Sequence, residues 1–121
     1  MVSHEVRAES TAVVAIDEVS EPRFAAAFSP RERAYAASKS DPERRLAARL
    51  AAKQAAVTAL GGGIDLGDVE IVRGRGGPPW LELSERGRAR LAAIGGDRLL
   101  VSLTHGRRHA AAAVLVLGPR R

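Results

Sequence analysis

The stretch RRLAARLAAKQAAVTALGGG, residues 44–63, decides the fold because it carries a long run of helical periodicity. Its apolar residues recur at helical spacing, and three glycines then end the pattern, as is typical of a helix C-terminus. Asp41 and Pro42 supply a start signal, so we predict a helix that runs from Asp41 to about Leu60. The other elements of the fold must pack against the apolar side of this helix.

Two polar residues of this helix, Lys53 and Gln54, raise the question of function. At about 100° per residue, Lys53 falls inside the apolar stripe, and Gln54 borders it beside Leu50 and Val57. Two interpretations of Lys53 remain open. Its ammonium reaches water past the apolar stripe, or it stands at the rim of a cleft and meets an anion. Gln54 is either an ordinary boundary residue or a part of the same site.

Shorter patterns predict the remaining elements. The sequence predicts five strands, at 11–17, 68–72, 80–83, 99–104 and 110–117. Capping signals predict further helices at 20–28, from 29 onward and at 84–96. The order β-α-α-α-β-β-α-β-β favours an α+β domain with a mostly antiparallel sheet and helices on one face. We expect one domain over 1–121, in which 1–10 is a frayed or edge segment and 118–121 is loose.

The composition limits the class of protein and its partners. Apolar residues make up 45% of the chain but only four residues are aromatic, so the core consists mostly of small aliphatic side chains and gains from self-association. The lack of cysteine excludes disulfides and thiolate metal sites. No stretch approaches a membrane span or a signal peptide, so we expect a cytoplasmic protein and no membrane partner. The net charge of +5, mostly from arginine, fits either an anionic partner or an ordinary solvated surface.

Asp17 and His105 are candidate site residues because each ends a predicted strand. Each alone is more often structural than functional. Together with Lys53, the glycine turn and the arginines after His105, they are suitable parts of a diphosphate site. A carboxylate can hold Mg²⁺, and cations and backbone amides can bind phosphates. The sequence contains no Walker A or GxGxxG motif, and no nucleophile elbow accompanies His105.

Four segments, in order, resemble the holo-acyl-carrier-protein synthase family, which are small 4′-phosphopantetheinyl transferases. They are VAIDEVSEPRF (14–24), RLAARLAAKQAAVTALGGGI (45–64), DVEIVRGRGGPPWLEL (68–83) and VSLTHGRRHAAAAVLVL (101–117). The resemblance implies the family fold, a mostly antiparallel sheet with a long central helix packed on one face, and a homotrimer with sites between subunits. It also implies the family reaction. Mg²⁺ holds the diphosphate of coenzyme A, a serine of an acyl carrier protein attacks the β-phosphorus, and adenosine 3′,5′-bisphosphate leaves.

The resemblance implies roles for particular residues. Asp17 would be the Mg²⁺ ligand, and Lys53 would contact the diphosphate or assist proton transfer. Coenzyme A would be contacted by a set made of His105, Arg45, Arg49, Gly61 and Gly63, in which the two glycines form the turn under the nucleotide. Arg23 would meet the acidic recognition helix of the carrier protein, and Arg45 or Arg49 would share that role or contact the nucleotide.

The departures from the family pattern concern the metal and the base. Gln54 stands where the family has a second metal-binding glutamate, and an uncharged amide should weaken Mg²⁺ binding. The amide also cannot act as a general base. Thr58 replaces a further family lysine, and Ser20 replaces a further acid.

These departures leave two functions open. The chain is a working transferase that serves a carrier protein. Alternatively, it is a diverged member that has lost or altered the chemistry, such as an accessory subunit or an enzyme acting on a carrier-bound acyl chain. Nucleic-acid binding is disfavoured, because the sequence lacks aromatic stacking platforms and a helix-turn-helix.

Overall fold

The structure, a computed structural model, describes residues 4–120. It contains five strands and three α-helices in this order: β1 (His4–Ala15), α1 (Pro30–Ala37), α2 (Pro42–Ala59), β2 (Val69–Val72), β3 (Trp80–Leu83), α3 (Glu85–Ala93), β4 (Arg98–His105) and β5 (His109–Arg120). Short 3₁₀ turns join them at Ile16–Ser20, Pro22–Phe24 and Leu66–Asp68. Within this described part, no helix is long and apolar enough to cross a membrane.

All strand pairs are antiparallel, which confirms the predicted α+β class. A three-stranded sheet has the order β1-β5-β4, and β2 and β3 form a separate hairpin. In the larger sheet, Ala113 of β5 lies opposite both Thr11 of β1 and Ser102 of β4. The register of these strands, with side chains alternating between the two faces, sets which residues face α2 and which face away.

The long helix α2 packs across one face of this sheet, as predicted. The buried face of α2 is rich in alanine: Ala47, Ala48, Ala51, Ala52, Ala55, Ala56 and Ala59. Alanine lets the backbone of the helix approach the strands closely, and the fully buried Leu50 and Leu60 fill the remaining space. Both clusters of the hydrophobic core include residues of α2, so this helix connects the two halves of the core.

The structure decides one open alternative and corrects two local expectations. Of the two alternatives for 1–10, the edge segment is confirmed over residues 4–10, because β1 pairs with β5 from His4 onward at the edge of the sheet. Gly118–Arg120 belong to β5, while 1–3 and 121 lie outside the described residues. The segment 20–28 forms 3₁₀ turns and bends in place of one helix, and Glu21 is extended between the two turns, as expected before Pro22.

Candidate active site

Asp17 lies in the 3₁₀ turn that follows β1, with its residue exposed to solvent. The backbone N–H of Ile16 donates to the carbonyl of Arg108 at 2.8 Å, which holds this turn beside the β4–β5 connection. Asp17 lines a cavity of about 400 Å³ together with Glu43, Arg107, Arg108 and His109. This cavity therefore combines carboxylates with a group of cationic and imidazole side chains.

His105 ends β4 and lies beside the start of α2. Its Nε2 is 3.8 Å from Oδ2 of Asp41. Asp41 also accepts a hydrogen bond from Nε of Arg45 at 3.0 Å, and this bond lowers the pKa of the Asp41 carboxyl. Asp41 was expected to cap α2 with its side chain, but it makes no such hydrogen bond and holds Arg45 instead. His105 and Arg45 therefore come together through one carboxylate.

The side chain of Lys53 does not reach water, so the snorkelling interpretation is wrong. It is 1% exposed, and its Nζ lies 2.8 Å from Oε1 of Glu32, whose side chain is fully buried. The ammonium also donates to the carbonyl of Val69 in β2 and, at 3.5 Å, to that of Leu66. Lys53 therefore does not reach bulk water. It lines a cavity of about 320 Å³ with Ser29, Asp68 and Glu70, while its donors are used inside the fold.

The buried pair of Lys53 and Glu32 joins three elements. Glu32 accepts the backbone N–H of Ser29 at 2.9 Å as part of the capping box of α1, and that of Ile71 in β2 at 3.0 Å. Burial lowers the pKa of Lys53, and the hydrogen bond and charge of Glu32 oppose that shift. In this arrangement Lys53 fixes α2 against α1 and β2, and its contact with a diphosphate stays a prediction.

Gln54, the next residue on α2, is partly exposed. Asp17 and Gln54 were expected to share a metal site, yet the carboxylate that lines the cavity with Asp17 is Glu43. Glu43 lies in the first turn of α2, where an acid is ordinary for electrostatic reasons, so the sequence offered no signal for it.

Arg49 is buried, with only 3% of its surface exposed. Its guanidinium stacks 4.0 Å from the centroid of the Tyr35 ring. Its Nε finds no hydrogen-bond partner among residues 4–120, and burial lowers its pKa. Arg49 is therefore a cation held inside the fold, stacked on Tyr35.

The predicted glycine turn follows α2, with positive φ at Gly61 (84°), Gly62 (77°) and Gly63 (79°). Side chains from α3 hold it. Nε of Arg90 donates to the carbonyl of Leu60 at 2.7 Å, and Arg86 donates to the carbonyl of Gly63 at 3.2 Å. The sequence did not single out these two arginines, although they lie four residues apart and hence on one side of α3.

Arg23 lies in the turn Pro22–Phe24, with 65% of its side chain exposed. Its Nε is 2.6 Å from Oε2 of Glu21, and its guanidinium is 4.5 Å from the centroid of the Phe24 ring. An exposed ion pair of this kind contributes little stability, so the guanidinium remains available to another anion.

The donor set for a metal is small. Among residues 4–120, no group of three or more His, Cys, Asp or Glu side chains is arranged to hold a metal ion. Mg²⁺ is commonly held by one or two carboxylates together with substrate phosphates and waters. Asp17 and Glu43 therefore suit an ion that is bound jointly with a diphosphate. They do not suit an ion that the protein must hold alone.

The comparisons with known proteins agree with this architecture. A family model described as the 4′-phosphopantetheinyl transferase superfamily matches residues 12–114. The holo-[acyl-carrier-protein] synthase of Moorella thermoacetica is 42% identical over 98 residues, which cover 77% of this chain and 75% of that protein. A relative from Nitratidesulfovibrio vulgaris with the same name is 46% identical over 80 residues, or 63% of this chain and 64% of that protein.

Solved structures show the same likeness. The acyl carrier protein synthase of Mycobacterium tuberculosis has a TM-score of 0.76 at 28% identity, covering 95% of this chain and 100% of that one. A complex of the Chronobacterium ammoniagenes enzyme with coenzyme A has a TM-score of 0.78 at 27% identity, covering 90% and 95%. The fold and these matches define an enzyme of the phosphopantetheinyl transferase class. Within that class, the chain belongs to the holo-acyl-carrier-protein synthase family.

Proposed function

We propose that this chain transfers the 4′-phosphopantetheine arm of coenzyme A to a serine of an acyl carrier protein. The observation that carries the proposal is the 42% identity over 98 residues to a relative named for this activity. The cavity beside Asp17 supports it, because Arg107, Arg108 and His109 line that cavity and can bind the oxygens of a diphosphate.

The proposed reaction is a displacement at the β-phosphorus of coenzyme A. The carrier serine oxygen forms a new P–O bond, the P–O bond of the diphosphate breaks, and adenosine 3′,5′-bisphosphate leaves. The arginines of the cavity orient the diphosphate and offset its charge. The serine proton needs an acceptor, and the amide of Gln54 cannot take it. Asp17 and Glu43 are the carboxylates of the cavity that can.

We assign Asp17, with Glu43, as the protein's oxygen donors to Mg²⁺. When bound with the diphosphate, the ion supplies charge neutralisation. Two carboxylates in one cavity match the small number of protein ligands that Mg²⁺ uses beside phosphates.

We also propose roles for the residues outside this cavity that the resemblance singles out. His105 and Arg45, held together by Asp41, are proposed contacts of the nucleotide. Gly61 and Gly63 are proposed to form the turn under the nucleotide. Arg23, exposed beside Glu21, is proposed to meet an acidic segment of the carrier protein. Arg49 is assigned to the packing of α1 on α2 through Tyr35, because its guanidinium is buried there.

Assembly as a homotrimer is proposed from the face of the sheet opposite α2. Val13 is 67% exposed and Leu100 is 42% exposed on that face. The register sets Val13, Ala111 and Thr104 in one row, with Thr11, Ala113 and Ser102 in the next. Such a flat surface of small and apolar side chains favours contact with further copies of the chain. Contact between copies would also bring together site residues that lie apart in one chain.

The second candidate is a diverged member without the transferase chemistry. Gln54 in place of a family glutamate favours it, as does the burial of Lys53. The two candidate functions are distinguished by whether the chain modifies a carrier protein. Incubation with apo-carrier protein, coenzyme A and Mg²⁺ should add the mass of the phosphopantetheine arm to the carrier if the transferase proposal holds.

The control for this assay is Asp17→Asn, which keeps the shape of the side chain and removes its charge. We expect the variant to fold normally and to modify the carrier far more slowly, by about 10²-fold or more, as for loss of a charged group at the reacting centre. If the wild type modifies none of several carriers, the transferase proposal fails and the diverged member is favoured. If Asp17→Asn is as fast as the wild type, the assignment of Asp17 fails.

A further inference from the structure

The end of α2 is an unusual place to receive an anionic ligand. The backbone N–H of Gly61 donates to the carbonyl of Thr58 and that of Gly62 to the carbonyl of Val57, so these amides are already used. The C-terminal end of a helix also carries partial negative charge. A turn of three glycines is in addition costly to hold in one shape, because glycine has the greatest backbone freedom.

Two arginines of α3 offset the negative charge at the end of α2 and hold the glycine turn in one shape. Arg90 donates from Nε to the carbonyl of Leu60 at 2.7 Å, at the last residue before the glycines. Its Nη2 packs so closely on the turn that a Cβ added at Gly61 would lie 2.7 Å from it. Arg86, one helical turn earlier, donates to the carbonyl of Gly63 at 3.2 Å. Two guanidinium groups thus bind both ends of the turn and place positive charge at the end of α2.

The helix that carries these arginines is itself anchored to the same segment. Ser84 caps α3 and donates from Oγ to Oδ1 of Asp68 at 2.7 Å, while its backbone N–H donates to the carbonyl of Asp68 at 2.9 Å. Nη1 of Arg86 lies 3.7 Å from Asp65 and 3.8 Å from Asp68. The side of α3 that carries Arg86 and Arg90 is therefore fixed relative to the glycine turn.

We propose that Arg90, assisted by Arg86, is a positioning residue for the coenzyme A site. It holds the turn Gly61–Gly63 in its binding shape and offsets the negative end of α2, so that an anionic nucleotide meets a preformed and electrostatically favourable surface. This inference rests on the proposed function, because it concerns the turn assigned to the nucleotide. It assigns no contact between Arg90 and the reacting atoms.

The test compares Arg90→Gln, Arg90→Lys and the wild type. For Arg90→Gln we expect KM and the calorimetric Kd for coenzyme A to rise about fivefold, with kcat within about twofold, as for residues that act through a neighbour. The difference from the wild type should shrink at high salt, because part of the effect is charge. Arg90→Lys, which keeps the charge, should recover most of the affinity.

Two further measurements keep the test decisive. Arg88→Gln changes an exposed arginine on another side of α3 and should leave KM unchanged. Hydrogen exchange at the amides of Gly61 and Gly62 should speed up in Arg90→Gln and, to a smaller extent, in Arg86→Gln. Arg86→Gln is also the variant to use for KM if Arg90→Gln fails to fold.

The outcomes separate this inference from the proposed function. If the wild type binds coenzyme A and Arg90→Gln binds it equally well, the positioning role is wrong while the proposed function stands. If Arg90→Gln lowers kcat with KM unchanged, the role is also wrong, because a positioning residue for binding should act on KM. If the wild type itself neither binds coenzyme A nor modifies a carrier, both fail together.

Discussion

The buried ion pair between Lys53 and Glu32 makes a sharp prediction about stability. Their side chains are 1% and 0% exposed, and Nζ lies 2.8 Å from Oε1. Glu32→Gln leaves the ammonium in a dry site without its counter-charge, which costs about 3–5 kcal/mol. At roughly 0.05–0.15 kcal/mol per residue, a chain of 121 residues has a total stability of about 6–18 kcal/mol. The substitution should therefore remove a large part of the free energy of unfolding.

Glu32→Gln removes both the counter-charge of Lys53 and one hydrogen-bond acceptor. The carboxylate of Glu32 accepts the backbone N–H of Ser29 at 2.9 Å and that of Ile71 at 3.0 Å. Glutamine keeps a carbonyl oxygen for one of these donors and has nearly the same shape. The other N–H then faces the amide NH₂ without an acceptor, which costs about 1–3 kcal/mol, so the single variant reports this loss together with the buried charge of Lys53.

The same variant predicts a dependence on pH. Burial lowers the pKa of Lys53 below its ordinary value of 10.5, and Glu32 opposes that shift, so its removal lowers the pKa further. Between the folded and unfolded pKa values, the unfolded state binds more protons, and stability rises with pH. The destabilisation of Glu32→Gln should therefore be largest near neutral pH and should shrink as the pH approaches 10.5.

The assay is urea unfolding followed by circular dichroism, at fixed protomer concentration, near neutral pH and at about pH 9.5, below the ordinary pKa of lysine. The control is the double variant Lys53→Met/Glu32→Gln, which removes both charges and should recover the part of the loss that comes from the unpaired ammonium. A loss below about 1 kcal/mol, typical of an exposed pair, with no recovery at high pH would refute the reasoning.

Three further predictions concern assembly and local structure. Val13→Arg places a charge on the outer face of the sheet and should convert a trimer into monomers in sedimentation equilibrium; a variant that stays trimeric contradicts that interface. Gly61→Ala forces a φ of 84° on alanine and places its Cβ 2.7 Å from Nη2 of Arg90, so denaturant unfolding should show a loss of at least about 1–2 kcal/mol, and unchanged stability would contradict this. Hydrogen bonds from the backbone of Asp65 and the hydroxyl of Ser84 lower the pKa of Asp68, so its contribution is present above 3.8 and lost in acid. The stability difference between Ser84→Ala and the wild type should accordingly narrow as the pH falls below 3.8, and a constant difference would contradict this.

The long helix is the element that local sequence predicts best. The expected range of Asp41 to about Leu60 compares with Pro42–Ala59 in the structure. Proline at the start and glycine at the end act within one turn of the chain, so the signals need no tertiary partner. The first strand, by contrast, depends on a partner that is distant in sequence. Residues 4–10 are mostly polar, and their extended form comes from pairing with β5, more than a hundred residues later for His4 and Arg120.

The partner of Lys53 is a feature of the site that the sequence does not predict. Helical periodicity correctly assigns Lys53 to the inner side of α2, but it carries no information about what lies opposite. The partner, Glu32, was recognisable only as part of the capping box of α1. Its second role requires that β2 bring Val69 and Ile71 to the same place, which depends on tertiary packing. For the same reason, Glu43 was missed as a neighbour of Asp17.

The central claim is that this family member is a working transferase although Gln54 replaces a family glutamate. The measurement that tests it most directly is the initial rate of carrier modification, read by intact mass, for the wild type and Gln54→Glu across a Mg²⁺ titration. We predict that the wild type modifies the carrier and needs more Mg²⁺ than the variant, because a carboxylate binds this ion better than an amide. A wild type that leaves every carrier unmodified at all Mg²⁺ concentrations would contradict the claim, whether or not Gln54→Glu is active.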